Sequence, residues 1–166
     1  MRQLCAAGAI VFGTFWGCNS PDAKAPSHPT RPLDEKRALS IIAQAYRDAG
    51  AAPAAGRPLR LTTGKSLRVD VGTEGRRFGI AYLTGADQSL LDPQSDLPPH
   101  TPGGDLPVVQ GVGVDSDSVI LVLFADDYQY DDFLGTDRES PGIAAEKKLA
   151  RDVRDFLAQA RLRKLP

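Results

Sequence analysis

Cysteine is almost missing from this sequence. Of 166 residues only Cys5 and Cys18 carry a thiol, and the 148 residues after Cys18 have none. A domain built from those residues has no disulfide, no thiol nucleophile and no cysteine metal ligand. Histidine is nearly as scarce, with His28 and His100 alone. That removes the His/Cys clusters that hold zinc, and we read His100 as a surface-loop residue. No serine stands in a G-x-S-x-G elbow. "TTGKS", Thr62–Ser66, lacks the early glycine of a phosphate-binding loop, because Leu59 occupies that place. It reads instead as a hairpin turn. "GVGVDSD" from Gly111 lacks the third glycine of a dinucleotide fingerprint and leads into a strand. No apolar run is long. The longest, Leu4 to Trp16, has thirteen residues, whereas a bilayer span needs about twenty. The net charge of −1 gives no basic field for nucleic acid, so none is expected as a partner. No small-molecule substrate is identifiable.

What is present is a charge pattern. Between Gly85 and Asp137 stand eleven aspartates, no glutamate and no lysine or arginine. Arg57 to Arg77 holds six bases against Asp70 and Glu74, and the last thirty residues hold eight bases against five acids. An acidic middle thus lies between basic flanks. Apolar residues make up 42% and charged residues 25%, which is ordinary for one globular domain.

The N-terminus reads as an address. Arg2 precedes the apolar run, which ends at "FWGC", Phe15 to Cys18. This resembles the signal peptide of bacterial lipoproteins, whose lipobox closes on a small residue and then a cysteine. Gly17 matches the small position, while Phe15 and Trp16 depart from the usual residues. The resemblance covers 18 residues. It implies lipid attachment at Cys18, a signal peptide over 1–17, and a palmitate-type anchor in the cell envelope. Asn19, where aspartate would favour inner-membrane retention, implies the outer membrane, facing the periplasm. Cleavage after the A-x-A of Ala23 to Ala25 is an alternative, but Pro26 would follow the cut.

Residues 18–33 read as a tether. Prolines at 21, 26, 29 and 32 favour an extended chain of about 3.1 Å per residue, roughly 40 Å in all. A single domain is expected over 34–166. "DEKRALSIIAQAYRDAG" has acids for a first turn, an apolar face of Leu39, Ile42, Ala45, Tyr46 and Ala49, and Gly50 as a stop. "LRLTT", "SLRVDV" and "RFGIAYLT" read as three successive antiparallel strands, with "GTEG" turning the chain into Phe78. Residues 85–110 read as a long Pro/Gly/Asp-rich loop with one helical turn at "DQSLL". "VILVLF", Val119–Phe124, is apolar at both parities and reads as a strand covered on both faces. A long C-terminal helix follows, its apolar face being Leu149, Val153, Phe156, Leu157 and Ala160, with Lys148/Asp152 and Arg151/Asp155 as i,i+4 pairs. The expected fold is α+β: an N-terminal helix, an antiparallel sheet of four to five strands and a C-terminal amphipathic helix, both helices on one face of the sheet.

The aspartates are the candidate metal ligands: Asp115, Asp117, Asp126, Asp127, Asp131 and Asp132. Calcium would take six to eight oxygens. Asp115-Ser116-Asp117 opens like a calcium loop, but Val119 then falls where a ligand is needed. In a continuous strand Asp127 and Asp131 would share a side yet lie roughly 13 Å apart. The competing expectation is that these acids cap turns and face water or nearby bases such as Arg68, Arg76 and Arg77. The sequence carries no catalytic constellation. It supports a lipid-anchored envelope protein that binds or scaffolds a protein partner rather than an enzyme. The alternatives are a calcium-dependent binding module and a carboxylate- or metal-dependent hydrolase.

Overall fold

The computed structural model describes residues 29–91, 96–100, 105–131 and 141–165. Cys18, the stretch up to residue 28 and Asp132 lie outside the described residues. In chain order the elements are β1 (Thr30–Pro32), α1 (Glu35–Asp48), β2 (Pro53–Ala55), β3 (Pro58–Arg60), β4 (Ser66–Arg68), β5 (Val71–Thr73), β6 (Phe78–Leu83), α2 (Gly85–Leu90), β7 (Val108–Gln110), β8 (Val119–Phe124), β9 (Gln129–Asp131) and α3 (Pro141–Leu162). The fold is α+β, as its alternating patterns imply.

Helix α1 begins where the Asp34 side chain accepts a hydrogen bond from the Arg37 backbone N–H at 3.1 Å, filling one of the four unpaired donors of a helix start. It buries Ala38, Ile42, Ala45 and Tyr46; Leu39 and Ala49 are only partly covered. It ends at Gly50, whose φ of 69° suits a residue without Cβ.

The main sheet runs β2-β5-β6-β8-β7. Its centre corrects the antiparallel expectation. β6 and β8 are parallel, in register from Phe78↔Val119 to Leu83↔Phe124, while β2–β5, β5–β6 and β7–β8 are antiparallel. The sheet is therefore mixed. A parallel pair needs a crossover of a dozen or more residues, and the stretch from Thr84 to Ser118 supplies it. Both strands of the pair are buried nearly throughout, as parallel strands covered on both faces are.

"SLRVDV" is not one strand. Its first half, β4, pairs with β3 in a small hairpin closed by the Thr62–Lys65 turn, and its second half, β5, joins the main sheet. At the break Gly56 lies so close to Val69 that a Cβ there would sit 1.8 Å from the Val69 carbonyl oxygen. The loop expected over 85–110 contains α2, started by a Thr84/Asp87 capping box, and ends in strand β7. Thr30–Pro32, read as the end of the tether, pairs with β9.

Two apolar layers cover the sheet. Between the sheet and the paired helices α1 and α3 lie Ile42, Tyr46, Leu121, Leu123, Leu149, Val153 and Leu157. On the other face the β3–β4 hairpin and the segment after α2 bury Leu59, Leu67, Ile120, Val122 and Phe124. The helices share one face, as expected, and Arg37 ties them with a two-bonded contact to Glu146 at 2.7 and 2.8 Å. That contact holds the Glu146 carboxyl below its ordinary range. No helix among the described residues is long and apolar enough to cross a membrane.

Burial on both faces sets the cost of cavities in β8. Leu121 and Leu123 are 0% and 1% exposed, so Leu121→Ala and Leu123→Ala should each cost about 2–5 kcal/mol. Urea denaturation measures this; losses below about 1 kcal/mol for both would contradict the two-layer packing.

Candidate functional site

The stretch after β8 turns at once. Ala125–Asp127 form a single 3-10 turn, Tyr128 drops into the core, and the chain leaves as β9. This turn delivers Asp127 and Tyr128 into a cleft of about 740 Å³ between the carboxyl end of β8, the segment before β7 and the outer side of α3. Its walls carry His100, Asp105, Asp127, Lys148, Arg151, Asp152 and Asp155.

Asp152 is the anchor of this wall. It is 6% exposed and sits on the apolar stripe of α3 beside Val153. It accepts hydrogen bonds from the Tyr128 hydroxyl at 3.0 Å and the Lys148 ammonium at 3.3 Å, with Arg151 Nε at 3.4 Å. A buried carboxylate without partners would cost several kcal/mol, so the set of donors is what makes its burial tolerable. The expected Arg151/Asp155 pair is replaced by Arg151 on Asp152. Lys148 also lies over the Tyr128 ring, 4.3 Å from its centre. Burial, and then the Asp152 charge, push the Tyr128 hydroxyl far above its ordinary range.

Two other tyrosines behave alike. Tyr46 and Tyr82 are each pushed up to about 12, chiefly by burial. A phenol whose folded value is raised adds stability that is complete below about pH 10 and lost as pH rises through about 12.

On the opposite wall His100 Nε2 lies 2.8 Å from Asp127 Oδ2. Its ring packs on Phe124 at 4.1 Å between centres. His100 is thus half-buried and paired rather than a free surface-loop residue. Nothing local in the sequence signals this, because the partners stand 27 positions apart. Asp152 did leave a signal: an acid at i+3 from Leu149, inside the apolar stripe.

The six candidate aspartates are not brought together. Asp115 binds Arg57 at 2.6 Å and Asp117 faces Arg77 at 3.8 Å, both before β8. Asp126 is exposed and Asp127 holds His100, both after β8. Six strand residues, about 20 Å, separate the two groups. Asp131 lies in β9 opposite Thr30, and Asp132 lies outside the described residues. Among the described residues no group of three or more His, Cys, Asp or Glu side chains is placed to hold a metal ion. Arg68, expected to face these acids, is taken by Asp70 at 2.7 Å and by Glu35. The Asp70 carboxyl is buried, which raises its pKa, against the lowering effect of the Tyr82 N–H and Arg68.

Compared with known proteins, the chain matches no family model, no curated protein and no solved structure.

Asp152→Ala should destabilise the domain by about 1–3 kcal/mol, because it strands the buried Tyr128 hydroxyl. Asp152→Asn, which keeps an acceptor for that hydroxyl, should cost less. Paired denaturation curves check the order; equal losses would show that the hydrogen bond is not what fixes α3 against Tyr128.

Proposed function

We propose that the chain is a lipid-anchored cell-envelope protein, held through Cys18 and facing the periplasm from the outer membrane, that binds or scaffolds a protein partner. Its docking surface is the cleft between α3 and the end of β8. One observation carries this reading: the cleft is lined by charges of both signs held in fixed pairs, His100 with Asp127 and Lys148 and Arg151 with Asp152. A surface whose polar groups are already positioned binds with less ordering cost. Mixed charge suits a polypeptide, which presents both signs, better than a uniformly charged ligand. The anchor supports the same reading, since it concentrates the domain at a membrane where partners share the surface.

A second reading, a hydrolase built on acidic residues, is favoured by the His100–Asp127 pair alone, because a carboxylate on a ring nitrogen is how a general base is oriented. Turnover of chromogenic ester or phosphoester substrates, lost in His100→Ala, would support it over binding.

Two measurements on intact cells test the preferred reading. Metabolic labelling with a fatty-acid probe should mark wild type and not Cys18→Ser. A photo-crosslinker at Gln159, on the cleft wall, should give discrete protein adducts that Arg151→Glu removes, whereas one at Gln44 on α1 should not. Unlabelled wild type would contradict the anchor, and adducts that ignore position would contradict the cleft.

A further inference from the structure

Among the described residues, the outer edge of β7 meets the cleft with backbone groups to spare. Val122 N–H donates to the Pro107 carbonyl at 2.9 Å, and Gly111 N–H to the Ser118 carbonyl at 3.0 Å. Val109 lies opposite Ile120 between them. Residues 107, 109 and 111 therefore turn their backbone groups toward β8. By the alternation of an antiparallel ladder, Val108 and Gln110 turn theirs away from it. Those two N–H and two C=O groups have no partner among the described residues. The edge is open: Val108 is 45% exposed. At three residues its shortness is the one blunting device it has; no proline, charge or bulge stands within the strand. β2, the opposite edge, begins with Pro53.

Beside this edge runs a groove of about 280 Å³ toward the last turns of α3. Val108, Phe156 and Leu165 form its apolar floor, and Arg163 is the single charged residue lining it. Arg163 is exposed and has no ion-pair partner among the described residues. The groove opens into the main cleft, sharing Val108, Gln159 and Arg163 with it. Asp105 and Asp155 line the wider cleft and not the groove. His100, Asp127, Lys148, Arg151 and Asp152 of the cleft are paired with one another, and Arg163 is the charge that lines the groove itself.

We propose that β7 accepts an extended segment of a partner protein as a sixth strand, with an apolar side chain in the groove and a carboxylate against Arg163. The proposal rests on the reading of the chain as a protein-binding module and names how the partner enters. Strand addition takes its affinity from the main-chain bonds and its specificity from alternate side chains. β7 of a second copy is Val-Val-Gln and brings no carboxylate of its own to Arg163, so the charge favours a partner segment over self-pairing.

The test uses a fluorescein-labelled peptide, Thr-Val-Thr-Val-Thr-Asp with a free carboxylate, followed by anisotropy. Controls are the amidated peptide with lysine for aspartate, and the acidic peptide N-methylated at both valines. Wild-type protein should bind the acidic peptide at least about tenfold more tightly than the lysine peptide, and the methylated peptide should not bind. Arg163→Glu should reverse the preference. Val108→Pro removes one outward N–H and no bond to β8, so it should lose the peptide while thermal unfolding is unchanged. The methylated peptide gives the same information without altering the fold. Binding indifferent to methylation, no saturable binding, or a dimer in sedimentation that Val108→Pro dissolves would each overturn the proposal. If peptide binding fails while the Gln159 adducts persist in Val108→Pro, strand addition falls and the module reading stands. If the adducts are missing too, both fall.

Discussion

Parallel pairing of β6 with β8 is the constraint on which the rest of this domain depends. Two six-residue strands run side by side in full register, and neither has a face turned to water. Such a pair is stable only when something covers each side. One side takes α1 and α3, whose apolar stripes meet over Leu121 and Leu123. The other takes the β3–β4 hairpin and the segment after α2, closing over Ile120, Val122 and Phe124. The crossover that makes the pair parallel carries residues 96–100 and 105–107 beside the sheet, so that His100 meets the carboxyl end of β8. Cleft and platform thus come from one topological choice.

That choice also separates the acidic residues by role. Asp115 and Asp117 enter β8 and meet the arginines of the β3–β4 and β5–β6 regions. Asp127 leaves β8 and meets His100. Among the described residues two acids are buried, each under donors: Asp152, which comes from a different element, under a tyrosine, a lysine and an arginine, and Asp96 under Thr63 and Lys65. The basic flanks and acidic middle are in this sense complementary parts of one folded surface, joined by Arg57–Asp115 and Arg77–Asp117.

Local physics was legible in the sequence. Helix α1 with its acidic start and glycine stop, the buried stripe of α3, the Thr62–Lys65 turn and the two-faced burial of β8 all follow from spacing over a few residues. Pairing was not. "FGIAYL" is apolar at both parities, as "VILVLF" is, and that shared property marks two central strands. Neighbouring strands in sequence are nonetheless read first as a meander, and the parallel partner lies some forty positions on. β7 was hidden for the reverse reason: three residues after a run of prolines and glycines are too few to show a period. The site depends on such distant pairings, so its chemistry was visible only in part. Asp127 stood out by composition, while its partner His100 did not. Asp152 was noted as one half of a surface pair, and its place inside an apolar stripe is what marks it as buried.

The domain combines one buried platform, β6 and β8, with an open edge at β7. Amide hydrogen exchange followed by NMR tests both at once. Amides of β6 and β8 should exchange only with global unfolding, and Val109, bonded inward, should be protected with them. Val108 and Gln110, whose N–H groups point outward, should exchange quickly in the free protein. Slow exchange at Val108 and Gln110 comparable to Val109 would mean that the edge is already covered, and would contradict the account.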